Sequence, residues 1–466
     1  MSFQNDLQKW KDKFGPQAAI QEMCGISKNY EDLCTDILTY AKWFSKDTHK
    51  RIVIMGQTSY LWMCNAYGAI AAGKTVIAVD PLLPADDIVT LMNNMDAEAV
   101  FTDIEDKKLQ KAIEEAGIVY ESYLQEEQLQ GGILQEEIED GDIIVFTSGT
   151  SGKAKGVVVP FVDVCNNAKV LMEDIAPGVE GNMYTPLPLY HMYATVGILA
   201  FLYKGRTVYL GNPRRIMEEL AYFKPAVMVV VSAMAEFLMK NNVVGDWGKV
   251  FTVAGAKCDK SLELKCTEYG IKLQNIYGAS EIAGVIAVNK LEHGIEKLTA
   301  LNGVKVTVEA ENEIAIEAPF HLKEYYKNPK ATAEVLRNGK IYLGDIGEAF
   351  EDGTFSPMGR KKDVIAMSNG NKLYCDEMDE ELTAIDGVKE ACVIYAEGKV
   401  IAVVVCAEGA DEAGVKKNLK QYNKKQPYFR KLDGIWMRKE PLPRAGLGKL
   451  KRNVVMEEYS FSKGEV

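Results

Sequence analysis

Short apolar runs rich in β-branched residues recur along the chain, at 51–55, 75–79, 143–146, 227–231 and 250–253, and alternate with helix-like segments. That alternation predicts α/β architecture with parallel strands. From about Val285 to Ser356 the rhythm changes. Short strands with charged turns take over, such as Glu313-Ile314-Ala315-Ile316 and Lys340-Ile341-Tyr342-Leu343. They predict a small β-rich subdomain closing the large one. After Arg360 a compact α+β unit begins, with a hairpin over 391–395 and 400–405 turning at Glu397-Gly398, then a Lys-rich helix over 414–425. The expected organisation is a large N-terminal domain, residues 1–361, and a small C-terminal domain, residues 362–466. The first fourteen residues mix charged with apolar positions, lack the apolar core of a secretory signal, and predict a surface helix.

Composition narrows the class. The 466 residues are 47% hydrophobic and 26% charged, as in soluble globular proteins with two or three substantial cores. No run of about eighteen uncharged apolar residues occurs, so integral membrane association is not expected. Nine cysteines without CxxC spacing argue against a disulfide framework or a structural zinc site, and predict a reducing, cytoplasmic compartment. A net charge of −12 argues against nucleic-acid binding. The charge is unevenly spread: thirteen Lys and Arg lie between Lys416 and Arg452, against only Asp433 and Glu440. This stretch is either a solvated face or a docking surface for an anion, such as a phosphorylated thiol or an acidic carrier protein.

The segment with the clearest chemistry is Phe146-Thr147-Ser148-Gly149-Thr150-Ser151-Gly152-Lys153-Ala154-Lys155-Gly156. Glycines let the backbone approach a ligand and turn N–H groups inward, while hydroxyl and ammonium groups add donors, a combination that suits a polyphosphate. It is not a Walker loop, because Ala154 follows Lys153 where that motif needs Ser or Thr. Four further segments follow in order: Tyr277-Gly278-Ala279-Ser280-Glu281, then Gly344-Asp345, then Gly359-Arg360-Lys361-Lys362-Asp363 with Asn369-Gly370-Asn371, and finally Pro441 to Arg452 with Gly448-Lys449. Weaker signals are Ala254-Gly255-Ala256, Pro188-Leu189-Tyr190-His191 and Tyr325-Tyr326-Lys327-Asn328-Pro329.

Together these segments resemble the motif series of the adenylate-forming superfamily of acyl- and aryl-CoA synthetases, adenylation domains and luciferases, over nearly the whole chain. The first is similar to that family's [ST]-S-G-T-T-G-x-P-K-G, with Ser151 for threonine and Ala154 for proline. Ser280 and Leu343 also replace threonines, Glu324 a glycine and Cys375 a proline. The resemblance implies that Thr147 to Lys153 and Lys155 hold the phosphates of ATP, and that Glu281 and Thr150 hold Mg²⁺. It implies that Tyr277, Gly278, Gly255 and Ala256 border adenine, that Ser280 contacts a phosphate, and that Asp345 and Arg360 serve the ribose or phosphate. His191 would gate the acyl pocket. Lys362 would be the hinge about which a mobile small domain rotates, Gly370 would let the thiol arm pass, and Lys449 would attend adenylation.

The implied reaction joins a small-molecule carboxylic acid to AMP and then passes the acyl group to a thiol. That thiol would be coenzyme A, or the phosphopantetheine of a separate acyl carrier protein. No acidic residue lies between Met192 and Tyr203, and Val196, Ser232, Ala233 and Ala279 are apolar or small. A fatty or aryl acid is therefore expected rather than an amino acid. The alternatives are a luciferase-like oxidative enzyme and a non-catalytic nucleotide-binding protein.

Overall fold

The computed structural model describes the chain except residues 1, 130–131, 149–153, 256–257, 259, 292–293, 367–371, 397, 428–429, 445–449 and 465–466. Two compact units divide it. One comprises Met1–Lys305 with Glu317–Lys340, and the other Val306–Ile316 with Ile341–Val466. Lys361 and Lys362, where the sequence places the domain boundary, lie inside the second unit.

The first unit contains two large sheets. The seven-stranded one runs Glu324–Tyr325, Ala154–Pro160, Asp142–Ser148, Thr75–Val79, Arg51–Met55, Ala99–Thr102, Val119–Ser122. From Asp142–Ser148 onward its neighbours are parallel, whereas Ala154–Pro160 and Glu324–Tyr325 each join antiparallel. The nine-stranded sheet has a parallel centre in which Lys272–Ala279, Val250–Ala254, Val227–Val231, Met183–Thr185 and Val208–Leu210 are successive neighbours. The β-branched runs read from sequence are these strands. Val227–Val231 and Val250–Ala254 are buried at every position, as expected of parallel strands covered on both faces. Helices Tyr60–Ala71 and Met192–Tyr203 are apolar nearly all round and likewise buried along their length.

The N-terminal helix, Phe3–Phe14, begins at Ser2, whose hydroxyl accepts the Asn5 N–H. It does more than cover the surface. Phe3, Leu7, Trp10 and Phe14 are buried, with Phe3 edge-on to Phe161 and Trp10 edge-on to Tyr203, at centroid distances of 5.0 and 4.9 Å. Asp6 is buried with them because Tyr203 Oη donates to it at 2.6 Å and Lys169 Nζ lies 2.6 Å away.

In the second unit, Val388–Ala396 and Lys399–Cys406 form the expected hairpin, extended by the parallel strand Gly434–Arg438. Alternation along the hairpin feeds two cores. Ala391, Val393, Ala402 and Val404 pack with Met378, Leu382, Val415 and Leu419, whereas Cys392, Ile394, Val403 and Val405 pack with Leu442, Val455 and Tyr459. A strand period of two thus places helices Cys375–Thr383 and Glu412–Lys425 on one face, and Arg452–Gly464 on the other.

One charge near the N-terminal helix is poorly accommodated. Asp140 Oδ2 accepts the Phe3 N–H at 2.6 Å, but Oδ1 is buried with no hydrogen-bond partner among the described residues. Burial pushes its pKa up to about 6 despite the Phe3 N–H, and Asp6 adds to the rise. The native carboxylate is thus harder to ionise than the unfolded one, so the native state is penalised above pH 6 and the penalty fades as pH falls toward 4. Asp140→Asn is expected to raise the denaturant midpoint at pH 7.5 and to leave it little changed near pH 4.5. Chemical denaturation at the two pH values checks this.

Candidate active site

The hydroxyl- and glycine-rich segment joins two adjacent antiparallel strands. Thr147 on Asp142–Ser148 stands opposite Lys155 on Ala154–Pro160. Gly149, Thr150, Ser151, Gly152 and Lys153, between them, lie outside the described residues, as does the Ser148 side chain. The next strand over carries Tyr325, opposite Val157. This register sets the Lys155 ammonium over the Tyr325 ring, 4.9 Å from its centroid, a cation–π contact. The Tyr325 hydroxyl in turn donates to Glu281 Oε1 at 2.7 Å. Tyr325 and Glu281 are only 7% and 8% exposed. Lys155, Tyr325 and Glu281 therefore form a line from the strand Ala154–Pro160 to a buried carboxylate.

Glu281 sits in the single 3₁₀ turn Ser280–Ile282 that follows the strand Lys272–Ala279. Its backbone carbonyl accepts the Leu322 N–H at 2.9 Å, so the turn is held from both backbone and side chain. The strand before it is irregular. Register shifts between Tyr277 and Gly278, and a Cβ on Gly278 would lie 2.3 Å from the Gly284 carbonyl oxygen. Only glycine fits there. Tyr277 is half-buried and Gly278 exposed. Gly255, with φ of +90°, follows the last residue of the neighbouring strand Val250–Ala254, while Ala256 lies outside the described residues.

Other predicted residues lie in the same unit. His191 precedes helix Met192–Tyr203, its ring 4.7 Å from that of Tyr190. Burial lowers its pKa, opposed by the Asp80 carboxylate, so the imidazole is neutral at physiological pH. Ser232 follows Val227–Val231, buried, with no partner for its hydroxyl among the described residues. Val196 is fully buried. Of these, Ser232 stands at a strand end, where ligands of open parallel sheets bind.

The second unit brings Asp345 and Arg360 together. They are opposite each other on the paired strands Asp345–Ala349 and Phe355–Arg360, with Arg360 Nε 2.8 Å from Asp345 Oδ1. Arg360 Nη1 also donates to the Leu343 carbonyl at 2.7 Å, and Asp345 is 7% exposed. Lys362 is exposed on the turn Lys361–Asp363. Gly370 and Lys449 lie outside the described residues. Cys375, where the motif has proline, opens helix Cys375–Thr383 and is buried, which pushes its thiol up to about 12.

Two residues acquire roles that sequence reasoning did not assign. Tyr325 stands in the Tyr-x-x-Asn-Pro segment, where Asn328 caps helix Pro329–Val335 by accepting the Ala331 N–H at 3.1 Å. That explains Asn-Pro but hides the tyrosine, whose partner is 44 positions away. Arg452 closes the last motif and is treated below.

Among the described residues, no three His, Cys, Asp or Glu side chains are grouped to hold a metal. Mg²⁺ needs no such cage: one carboxylate plus substrate phosphates suffices, and the hard oxygens of Glu281 fit that use. The family model of AMP-binding enzymes matches residues 7–317. The chain belongs to this family.

Several relatives of this AMP-binding enzyme span nearly their whole length with it. A 2-succinylbenzoate–CoA ligase of Listeria innocua is 25% identical over 436 residues, covering 90% of this chain and 91% of the relative. A long-chain-fatty-acid–CoA ligase of Mycobacterium tuberculosis is 24% identical over 487 residues, covering 95% of both. Among solved structures, an anthranilate–CoA ligase with bound anthranoyl-AMP aligns with a TM-score of 0.86 at 14% identity, over 98% of each chain. The Bacillus subtilis o-succinylbenzoate–CoA synthetase with its acyl-adenylate aligns at 0.83 and 19% identity, over 96% of this chain and 97% of that one. At such identities the likeness establishes the fold.

Tyr325→Phe keeps the ring beneath Lys155 but removes the donor to a buried carboxylate, a loss of about 1.5–3 kcal/mol for a charged hydrogen bond. The variant is expected to melt lower than wild type, and to gain less from MgATP. Thermal unfolding with and without MgATP tests both expectations.

Proposed function

We propose that this AMP-binding enzyme is an acid–thiol ligase: it activates a carboxylic acid with MgATP to an acyl-adenylate, releases pyrophosphate, and transfers the acyl group to coenzyme A. The observation that carries the reading is the Lys155–Tyr325–Glu281 line beside the hydroxyl- and glycine-rich segment. A cation and a hard-oxygen ligand side by side support the reading, because a nucleotide's phosphates and their Mg²⁺ call for both. The CoA ligases among the full-length relatives support the same conclusion.

In this reading residues 147–153 cradle the phosphates, and Glu281 and Thr150 hold Mg²⁺, whose charge neutralises the phosphate oxygens when bound. Tyr277, Gly278, Gly255 and Ala256 border the adenine, and Ser280 contacts a phosphate. Arg360 holds the Asp345 carboxylate so that it can accept from the ribose hydroxyls. Joining a carboxylate to a phosphate brings two anions together, and the Lys449 ammonium offsets their repulsion. A rotation of the small domain about Lys362 then withdraws Lys449 and admits the thiol past Gly370, so that one site serves two steps.

The acid is fatty or aryl. Helix Met192–Tyr203, beside His191, carries no acidic residue to hold an α-amino group. Coenzyme A is favoured over a carrier protein because the relatives are CoA ligases, although the basic stretch from Lys416 to Arg452 would suit either. Free cysteines throughout fit a cytoplasmic location. Among the described residues no helix is long and apolar enough to cross a membrane.

Mass-spectrometric product analysis tests the function. Protein, MgATP and a panel of fatty, aryl and amino acids are incubated with and without coenzyme A. Acyl-CoA from a fatty or aryl acid is expected. Acyl-AMP without acyl-CoA would transfer the second step to a carrier protein, and the absence of both would favour a nucleotide-binding protein. Lys449→Ala should cut pyrophosphate release more than tenfold, at least ~1.4 kcal/mol of barrier, while ATP binding persists. Lys362→Pro should slow thioester formation more than adenylation. Single-turnover assays of each half-reaction check both variants.

A further inference from the structure

Arg452 is buried among acids. Its side chain is 13% exposed, and Nη2 donates to Asp379 Oδ2 at 2.8 Å and to Asp376 Oδ1. Nη1 donates to the Val393 carbonyl at 2.6 Å, and Nε lies 3.7 Å from Asp363 Oδ1. These partners come from separate segments. Asp363 directly follows Lys362. Asp376 and Asp379 share one face of helix Cys375–Thr383, which begins just beyond the segment containing Gly370. Val393 belongs to the central hairpin.

The backbone leading to Arg452 is pinned as well. Arg444 and Leu450 form an antiparallel bridge, the Lys451 N–H donates to the Pro443 carbonyl at 2.8 Å, and Arg444 pairs with Glu390 at 3.0 Å. Leu442 and Leu450 pack in the core beneath. Leu450, the residue next to Lys449, is therefore fixed on the hairpin, and Arg452, two residues later, ties that same stretch to helix Cys375–Thr383 by hydrogen bonds and to Asp363 by a longer ion pair.

We infer that Arg452 is a positioning residue for adenylation: it ties Leu450–Arg452, the chain that follows Lys449, to the segment that follows Lys362. The inference rests on the roles given above to Lys449 and Lys362. Stability alone is a poor reason for such a cluster. Three carboxylates surround one guanidinium, and burial raises the pKa of Asp379 to about 6 and that of Asp363 as well. Buried ion clusters of this kind are weak stabilisers, and their best-attested use is to specify one arrangement. Arginine is required by geometry: its planar fork reaches two carboxylates and a carbonyl at once, whereas a lysine offers a single point of charge.

The test compares wild type, Arg452→Lys, Asp363→Asn and Lys449→Ala in three measurements. These are acid-dependent pyrophosphate release, thioester formation from supplied acyl-adenylate, and the unfolding midpoint. Arg452→Lys should lower kcat for pyrophosphate release at least tenfold with KM for ATP changed less than about twofold, and keep thioester formation within about threefold. Asp363→Asn removes one of the crowded carboxylates and should fold even if Arg452→Lys does not. It should still slow pyrophosphate release at least threefold. Parallel loss of both half-reactions in step with a falling midpoint would overturn the inference, leaving a structural role only. So would unchanged pyrophosphate release in Asp363→Asn. If Lys449→Ala keeps its pyrophosphate release, the lysine assignment itself fails and takes the inference with it. Loss in Lys449→Ala without loss in Arg452→Lys overturns the positioning role alone.

Discussion

A strand covered on both faces can offer chemistry only at its ends, and that constraint organises the first unit. Val227–Val231 and Val250–Ala254 are buried throughout, so their side chains are committed to packing and their backbone groups to the ladder. What remains available lies just past the last residue of each strand. Ser232 follows the first of these strands and Gly255 the second, while Glu281 comes two residues after Lys272–Ala279. The hydroxyl- and glycine-rich segment obeys the same rule in the other sheet, since the strand Asp142–Ser148 ends within it. The proposed site lies where the apolar strands leave room for it.

The two sheets still have to be registered against each other. Lys155 and Tyr325 belong to the seven-stranded sheet, whereas Glu281 follows a strand of the nine-stranded one. The Tyr325 hydroxyl is thus a bridge between sheets, and its 2.7 Å bond to Glu281 spans the join at the point where phosphate chemistry is proposed. Arg360 and Asp345 do the equivalent work within the second unit, though across a single pair of strands. In both places a buried carboxylate is held in one orientation by a fixed donor, which is how pre-organised sites are built.

Much of this was legible in the residues. Unbroken β-branched runs marked the parallel strands, and the turn at Glu397-Gly398 marked the hairpin, because both signals are local. The motif segments could be picked out by residue type and spacing, which are also local signals. What escaped were pairings between distant segments. Tyr325 reads as one more aromatic until its hydroxyl is seen on Glu281, and Arg452 reads as one of thirteen basic residues until Asp363, Asp376 and Asp379 close around it. The N-terminal segment read only as a surface helix, and nothing local showed that Phe3 and Trp10 would meet Phe161 and Tyr203. Charge counts cannot distinguish a buried guanidinium from a solvated one.

The second unit is assembled from two pieces of chain, and this bears on how the protein can be made. Val306–Ile316 belongs to it, yet leaves the ribosome before Glu317–Lys340, which belongs to the first unit. Its strand Ile314–Glu317 stands unpaired on one side until Ile341 arrives to meet Ile316, and Glu313 waits for Ile346. Tyr342 and Lys361 then close on Glu309, Glu311 and Glu313. During synthesis a short apolar edge is therefore exposed for the time taken to translate the intervening segment. A fragment cut to begin at residue 341 would lack that edge altogether, so the second unit cannot be obtained whole by cutting the chain there.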